Sequence, residues 1–264
     1  MSPERILVVA LALTSTLAAG LAADARGGPR VAPGRLALIV LANVALLPAL
    51  TYAALRLGAI DAGRGLLLAA AAPGGSTGPL LAVLGGGDAP IAARTFVALS
   101  LAGVAAALIA TAALDVAGVG RVLAASAIVV ASTVGPLLAG LALRARRPAR
   151  AAAWQPWLSR LSLALLVATI ALLAARHGDA ARTIDVAIGA AVTLLALAIG
   201  AAVDGRAARI AVAQVSAVRN LTLVLLVLAV VGAPPAETMA ALGYGLAMYV
   251  IALVAAAWTR RSPR

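Results

Sequence analysis

Apolar runs of near-membrane length follow one another from Ile6 to Trp258, separated only by short polar or Gly/Pro-containing connections. A helix of about 20 residues crosses the hydrocarbon core of a bilayer, so the pattern predicts an all-α polytopic membrane protein. Composition points the same way: 64% of the 264 residues are hydrophobic and 11% charged, whereas soluble domains run near about 45–50% and about 25%. Nine spans are expected, at about 5–22, 36–56, 64–84, 90–112, 120–142, 157–175, 183–203, 207–231 and 237–258. The connections leave no room for a soluble domain, so residues 1–264 read as one transmembrane domain. The first run, Ile6 to Leu21, could pass for a signal peptide. Its charged start is weak and no small-residue cleavage site precedes a polar mature domain, so it is read as the first membrane helix.

The net charge of +12 would suggest a nucleic-acid partner in a soluble chain, but only 3% of residues are aromatic and no basic reading surface is present. Every basic residue is an arginine, and nearly all lie in connections. Fourteen (Arg26, Arg30, Arg35, Arg94, Arg144, Arg146, Arg147, Arg150, Arg160, Arg206, Arg209, Arg260, Arg261, Arg264) fall on one set of ends and six (Arg5, Arg56, Arg64, Arg121, Arg176, Arg182) on the other. Cytoplasmic loops carry the excess, which predicts an inner or plasma membrane protein with its N-terminus outside and its C-terminus cytoplasmic. There is no cysteine, which excludes disulfides, thiolate metal sites and cysteine nucleophiles.

Two spans are interrupted. The third contains Pro73-Gly74-Gly75-Ser76-Thr77-Gly78-Pro79 between apolar flanks; two prolines and three glycines in seven residues cannot continue a helix. The eighth carries the polar insert Gln214-Val215-Ser216-Ala217-Val218-Arg219-Asn220. Backbone groups freed inside a membrane must be satisfied by protein or by a watered cavity, so a broken span marks a cavity. The breaks occupy comparable places: Pro73 lies 37 residues after Leu36, where span 2 begins, and Ala217 lies 34 after Thr183, where span 7 begins. The assigned orientation starts span 2 inside and span 7 outside, so units 36–112 and 183–258 are expected to be inverted repeats. Paired breaks in inverted halves point to the central site of a carrier.

At these residues the chain resembles the bile acid:sodium symporter family. The resemblance rests on Ala42-Asn43-Val44-Ala45-Leu46-Leu47-Pro48, on Ala72-Pro73-Gly74-Gly75-Ser76-Thr77 followed by Gly86-Gly87-Asp88, and on Val218-Arg219-Asn220-Leu221-Thr222-Leu223. It implies a panel of helices beside a core built on two crossing, unwound helices. Spans 5–22, 120–142 and 157–175 would form the panel, and the two three-span units the core. The family's sodium ligands are matched poorly. Gly78 and Pro79 stand where small polar residues are usual, Ala92 and Phe96 where hydroxyls are, Val215 with Gln214 beside it near the glutamate, and Asn43 in place of a glutamine. Asn43 and Gln214 are the remnants of a sodium site on this alignment. Every acidic residue (Glu4, Asp24, Asp61, Asp88, Asp115, Asp179, Asp185, Asp204, Glu237) lies in or near a connection. No cofactor is expected, and Na⁺ remains the alternative.

Arg219 is the one ionisable side chain well inside a predicted span. Placing it there costs about 2.5–3.5 kcal/mol on insertion scales, so such residues default to functional hypotheses. Its guanidinium is expected to occupy charge space that relatives give to Na⁺ and to attract an anionic substrate, helped by half-helix N-termini at the breaks. The competing reading is that it snorkels into a cavity or bonds freed carbonyls. Asn43, Gln214, Ser216 and Asn220 are candidates to line the same cavity, against plain interhelical hydrogen bonding. Ser76 and Thr77, with Gly78, either touch ligand or cap the second half-helix. Ser132, Thr133 and Ser162 read as packing residues, Trp154 and Trp157 as an interfacial belt, and His177 as a solvated loop residue.

No His, Asp or Glu lies well inside a span to serve as a base for a nucleophile, which argues against an intramembrane hydrolase and against enzymatic function. A proton-coupled carrier needs a titratable group in the membrane, and arginine stays protonated. The expected function is alternating-access transport of an organic anion or amphipathic small solute. Sodium-independent exchange, uniport and Na⁺ symport are the variants, and a non-transport membrane protein is the distant alternative.

Overall fold

The computed structural model describes residues 3–23, 31–58, 63–113 and 119–261. Asp24, Arg26, Arg30, Asp61, Asp115 and Arg264, and the side chain of Arg121, lie outside the described residues. Twelve α-helices follow in order: α1 (Pro3–Ala22), α2 (Pro33–Leu41), α3 (Leu47–Leu57), α4 (Arg64–Ala71), α5 (Gly78–Leu84), α6 (Ala89–Ala113), α7 (Val119–Arg146), α8 (Pro148–His177), α9 (Thr183–Gly200), α10 (Arg206–Ala217), α11 (Leu221–Val231) and α12 (Pro235–Arg261). Among the described residues there is no strand. Among the described residues seven continuous stretches are long and apolar enough to cross a membrane, with α2 and α3 counting as one. Large apolar side chains such as Leu38, Ile109, Leu194, Val254 and Trp258 are exposed, where lipid rather than water is the matching solvent. This is a multi-pass α-helical membrane protein.

The predicted ends hold to within a few residues except at α8, which begins at Pro148 rather than near 157. Hydropathy marks only the apolar part of that helix, but Pro148 is pre-set for a first helical turn and the following alanines favour helix. The helix also runs through Pro156. Between α2 and α3 a π-helical turn, Ala42–Leu46, absorbs Pro48: the Leu47 N–H reaches back to the Ala42 carbonyl, because proline cannot donate and the ladder must shift around it.

Helices α1, α7 and α8 pack on one another. Small residues let α1 and α7 approach: an ideal Cβ on Gly20 would lie 2.4 Å from the Leu137 carbonyl oxygen, and one on Gly140 would lie 2.6 Å from that of Leu17. Thr16 Oγ1 also donates to the Ser132 carbonyl at 3.3 Å, and Thr133 Oγ1 to Val129 O at 2.6 Å; both residues of the 132–133 pair are buried packing residues. At one end Arg176 pairs with Glu4 at 2.8 Å, with His177 Nε2 3.9 Å from the same carboxylate. This fixes α1 antiparallel to α8. The remaining helices interlock around α10, which packs against α5, α6, α9 and α12. Glu237, buried at the start of α12, accepts the Gly65 N–H at 2.6 Å and so caps α4 across the chain. Arg35 pairs with Asp204, tying the start of α2 to the α9–α10 connection.

The Gly20–Gly140 contact predicts a measurable cost. Gly140→Val should lower the thermal midpoint of the purified protein, reflecting about 1–3 kcal/mol of overpacking. Gly34→Ala, whose added Cβ meets nothing within 4 Å, should leave the midpoint unchanged or raise it. Equal midpoints for all three proteins would disprove the close α1–α7 contact.

Candidate functional site: the helix crossing and the cavity beside it

Helix α4 stops because the residue before a proline is disfavoured in helical geometry: Ala72 has φ −110° and ψ 65°. Helix α5 restarts at Gly78 with Pro79 in its first turn. The second break has no proline or glycine. Val218 is extended (φ −81°, ψ 112°) and ends α10, and Asn220 starts α11 as its N-cap, Oδ1 accepting the Leu223 N–H at 3.0 Å.

The two breaks meet. Pro73 and Arg219 form an antiparallel bridge. The Gly75 N–H donates to the Val218 carbonyl at 2.9 Å, and the Asn220 N–H donates to the Ala72 carbonyl at 2.7 Å. Contact this close needs the glycines. A Cβ on Gly75 would sit 2.4 Å from the Arg219 carbonyl oxygen, and Gly74 has φ +80° with Ser100 N 2.5 Å from its would-be Cβ. Ser100 Oγ completes the join by donating to the Gly74 carbonyl at 2.9 Å.

Arg219 is 1% exposed. Its N–H donates to Met248 Sδ at 2.9 Å. Its guanidinium faces the Tyr244 hydroxyl, which also faces Thr193, although neither the three guanidinium nitrogens nor Tyr244 Oη meets strict hydrogen-bond geometry. Among the described residues it bonds no freed carbonyl and lines neither cavity described below, so it meets neither a carbonyl nor the expected substrate space there. Asn43 Oδ1, Gln214 Oε1 and Ser216 Oγ are likewise buried without partners. Asn43 Nδ2 donates to Ile39 O at 2.8 Å, inside its own helix, and Gln214 Nε2 to Ala252 O at 3.3 Å. Neither broken helix carries an acidic residue. Asp88, Asp185 and Glu237 are engaged with the Ile91 N–H, Arg182 and the Gly65 N–H. Among the described residues no group of three His, Asp or Glu side chains could hold a metal ion.

Beside the crossing lies a cavity of about 690 Å³. One wall comes from α1 and α8, the other from the first break, α5, the start of α6, Thr222 and Tyr249. A second, narrow space of about 10 Å³ connects the same parts, lined by Ser15, Ser76, Ser100, Thr133 and Asn220 among others; it has room for about one water molecule.

The structure thus divides the residues expected from sequence. Ser76 and Thr77 line the large cavity, and Ser76 and Asn220 the narrow one. Thr77 holds the N-cap position of α5 without a side-chain cap bond, and its Oγ1 lies 3.5 Å from Tyr249 Oη instead. Arg219, Asn43, Gln214, Ser216 and Gly78 line neither space. Gly78 packs against Val215, its would-be Cβ 3.1 Å from that Cα. Trp154 and Trp157 are exposed. Sequence reasoning missed Ser15, Gln155, Ser159, Arg160 and Tyr249 as cavity residues and took Ser162 for packing, although it also lines the cavity. The signal for α8 was present: Gln155, Ser159 and Ser162 recur at helical spacing, as a polar stripe does.

No protein-family model and no curated protein matches this chain.

Asn220 caps a buried helix, so Asn220→Ala should destabilise the protein by about 1 kcal/mol, seen as a lower thermal midpoint in detergent. Asn220→Ser keeps an acceptor there and should recover much of the loss. A midpoint that moves equally in both variants would rule out the cap as the source.

Proposed function

We propose that this protein is a secondary carrier, not an enzyme, that moves an amphipathic organic anion across the membrane by alternating access. The observation that carries the reading is the pair of broken helices, hydrogen-bonded to each other backbone to backbone beside a cavity of about 690 Å³. A protein that only anchored or scaffolded would have no need to interrupt two membrane helices at the same depth.

On this reading α4–α5 and α10–α11 are each one span, which makes nine. The units around them are inverted repeats, and the plan parallels that of bile acid:sodium symporters. The arginine bias sets the N-terminus outside and the C-terminus in the cytoplasm. Helices α1, α7 and α8 act as a panel, against which the crossing unit shifts to open the cavity to either side. Arg219 works inside the core. It is a tethered cation at the crossing and occupies the place of a coupling ion, which makes transport sodium-independent. Support comes from its burial without a carboxylate partner and from the lack of acidic residues on both broken helices.

Two measurements test this. The chain lacks cysteine, so Ser15→Cys and Ser76→Cys, both lining the narrow space between panel and crossing, can be bridged by a thiol crosslinker without background. Bridging should stop uptake of organic anions into proteoliposomes; undiminished uptake by fully crosslinked protein would defeat alternating access. Uptake should also be equal in NaCl and choline chloride. Arg219→Gln should lose at least about tenfold in choline, equivalent to about 1.4 kcal/mol. Full activity of that variant without sodium would refute the tethered-cation role, and a wild-type requirement for sodium would make the protein a symporter.

A further inference from the structure

The large cavity has its own charge. Among the described residues that line it, Arg160 is the only one charged at neutral pH, and none is a carboxylate. Arg160 stands on α8 among Gln155, Ser159, Ser162, Leu163 and Leu166, all of which face the same space. Its place along the cavity follows from the α1–α8 pairing. Glu4 meets Arg176, so two antiparallel helices of equal rise bring Arg160 level with Gly20, near the Ala22–Ala23 end of α1. That is the end where α1 stops and α6 begins, where Ala22, Ala23, Ala89 and Pro90 line the cavity; we take it as the mouth. Leu166 lies about 9 Å further along the helix at 1.5 Å per residue. Beyond the apolar walls, Ser76, Thr77, Thr222 and Tyr249 supply hydroxyls on the crossing side.

We propose that Arg160 is the anion-recognition residue of this cavity. It receives the charged end of a monovalent organic anion at the mouth, while an apolar body of about 9 Å lies between α1, α5 and α8. This inference rests on the carrier reading for its physiological meaning and on the cavity alone for its chemistry. An arginine with no carboxylate among the described lining residues offers a planar fork of donors that matches a carboxylate or sulfonate. The cationic group sits on α8, and Ser76, Thr77, Thr222 and Tyr249 add hydroxyls on the crossing unit to those of Ser15, Ser159 and Ser162, so a ligand of this shape touches both parts.

The test uses the full chain in lipid nanodiscs with naphthalene-2-sulfonate and its uncharged partner of the same body, naphthalene-2-sulfonamide, followed by titration calorimetry. The sulfonate should bind at least about tenfold more tightly than the sulfonamide, the size of one charge-assisted contact. Arg160→Gln should remove that advantage and leave the sulfonamide affinity unchanged, which also shows that the variant is folded. Arg160→Lys should retain part of it. Ser162→Cys should react with a maleimide and be protected by the sulfonate. No binding of the sulfonate, equal binding of the two probes, or an unaltered sulfonate affinity in Arg160→Gln would each overturn the proposal. If binding and protection hold but proteoliposomes take up no sulfonate, the carrier reading fails and the Arg160 site stands. If uptake proceeds and ignores Arg160→Gln, the carrier reading stands and the Arg160 site fails.

Discussion

Two backbone hydrogen bonds, Gly75 N–H to Val218 C=O and Asn220 N–H to Ala72 C=O, make the rest of this structure permissible. A helix interrupted in a bilayer exposes donors and acceptors that water cannot reach, each costing several kcal/mol if unmet. Here the two interruptions satisfy each other. Neither broken helix could hold its shape alone, so α4–α5 and α10–α11 form one cooperative unit, and the helices packed on α10 inherit that constraint. The glycines follow from it: a side chain at Gly75 would strike the Arg219 carbonyl and separate the strands of the bridge.

The buried charge follows from the same join. Arg219 belongs to the bridge through its backbone, so its side chain is committed to the core whatever it finds there. A guanidinium facing a tyrosine hydroxyl, with none of these atoms in strict hydrogen-bond geometry, is a costly arrangement in an apolar interior. On the proposed carrier reading, that cost is offset because a fixed positive charge where two half-helices meet stands in for a mobile one.

Much of the fold could be read from the chain because hydrophobic runs and proline chemistry act locally. The first break announces itself through Pro73, Gly74, Gly75 and Pro79, whereas the π-helical turn before Pro48 was not expected, span 36–56 having been read as one continuous helix. The second break was legible only as a polar insert in an apolar run. Val218-Arg219-Asn220 contains no obligatory breaker, and its extended backbone depends on pairing with a segment about 145 residues away. Asn220 was read as a site residue, yet it caps α11 and also lines the narrow space. Which face of α10 looked into the cavity could not be told from one helix. Gln214 and Ser216 turn inward, and the cavity is formed by elements on the other side of the crossing. Arg160 was counted among charges that set orientation, because spacing along one helix does not show which neighbour it will face.

The separation of the two arginines is the physical point on which mechanism turns. A single buried arginine that both held the crossing and bound substrate would have to be desolvated in one state and reached by ligand in another, and those demands conflict. With Arg219 sealed in the core and Arg160 at the edge of the cavity, one charge can stay fixed while the other is hydrated and exchanges partners. A ligand anion at Arg160 loses water only on that side and keeps its apolar body against α1 and α5. On the carrier reading its far end would reach hydroxyls of Thr77 and Thr222 on the crossing side. Binding energy would then be shared between the two parts that this reading moves, and a ligand can bias their position only through such differential contacts.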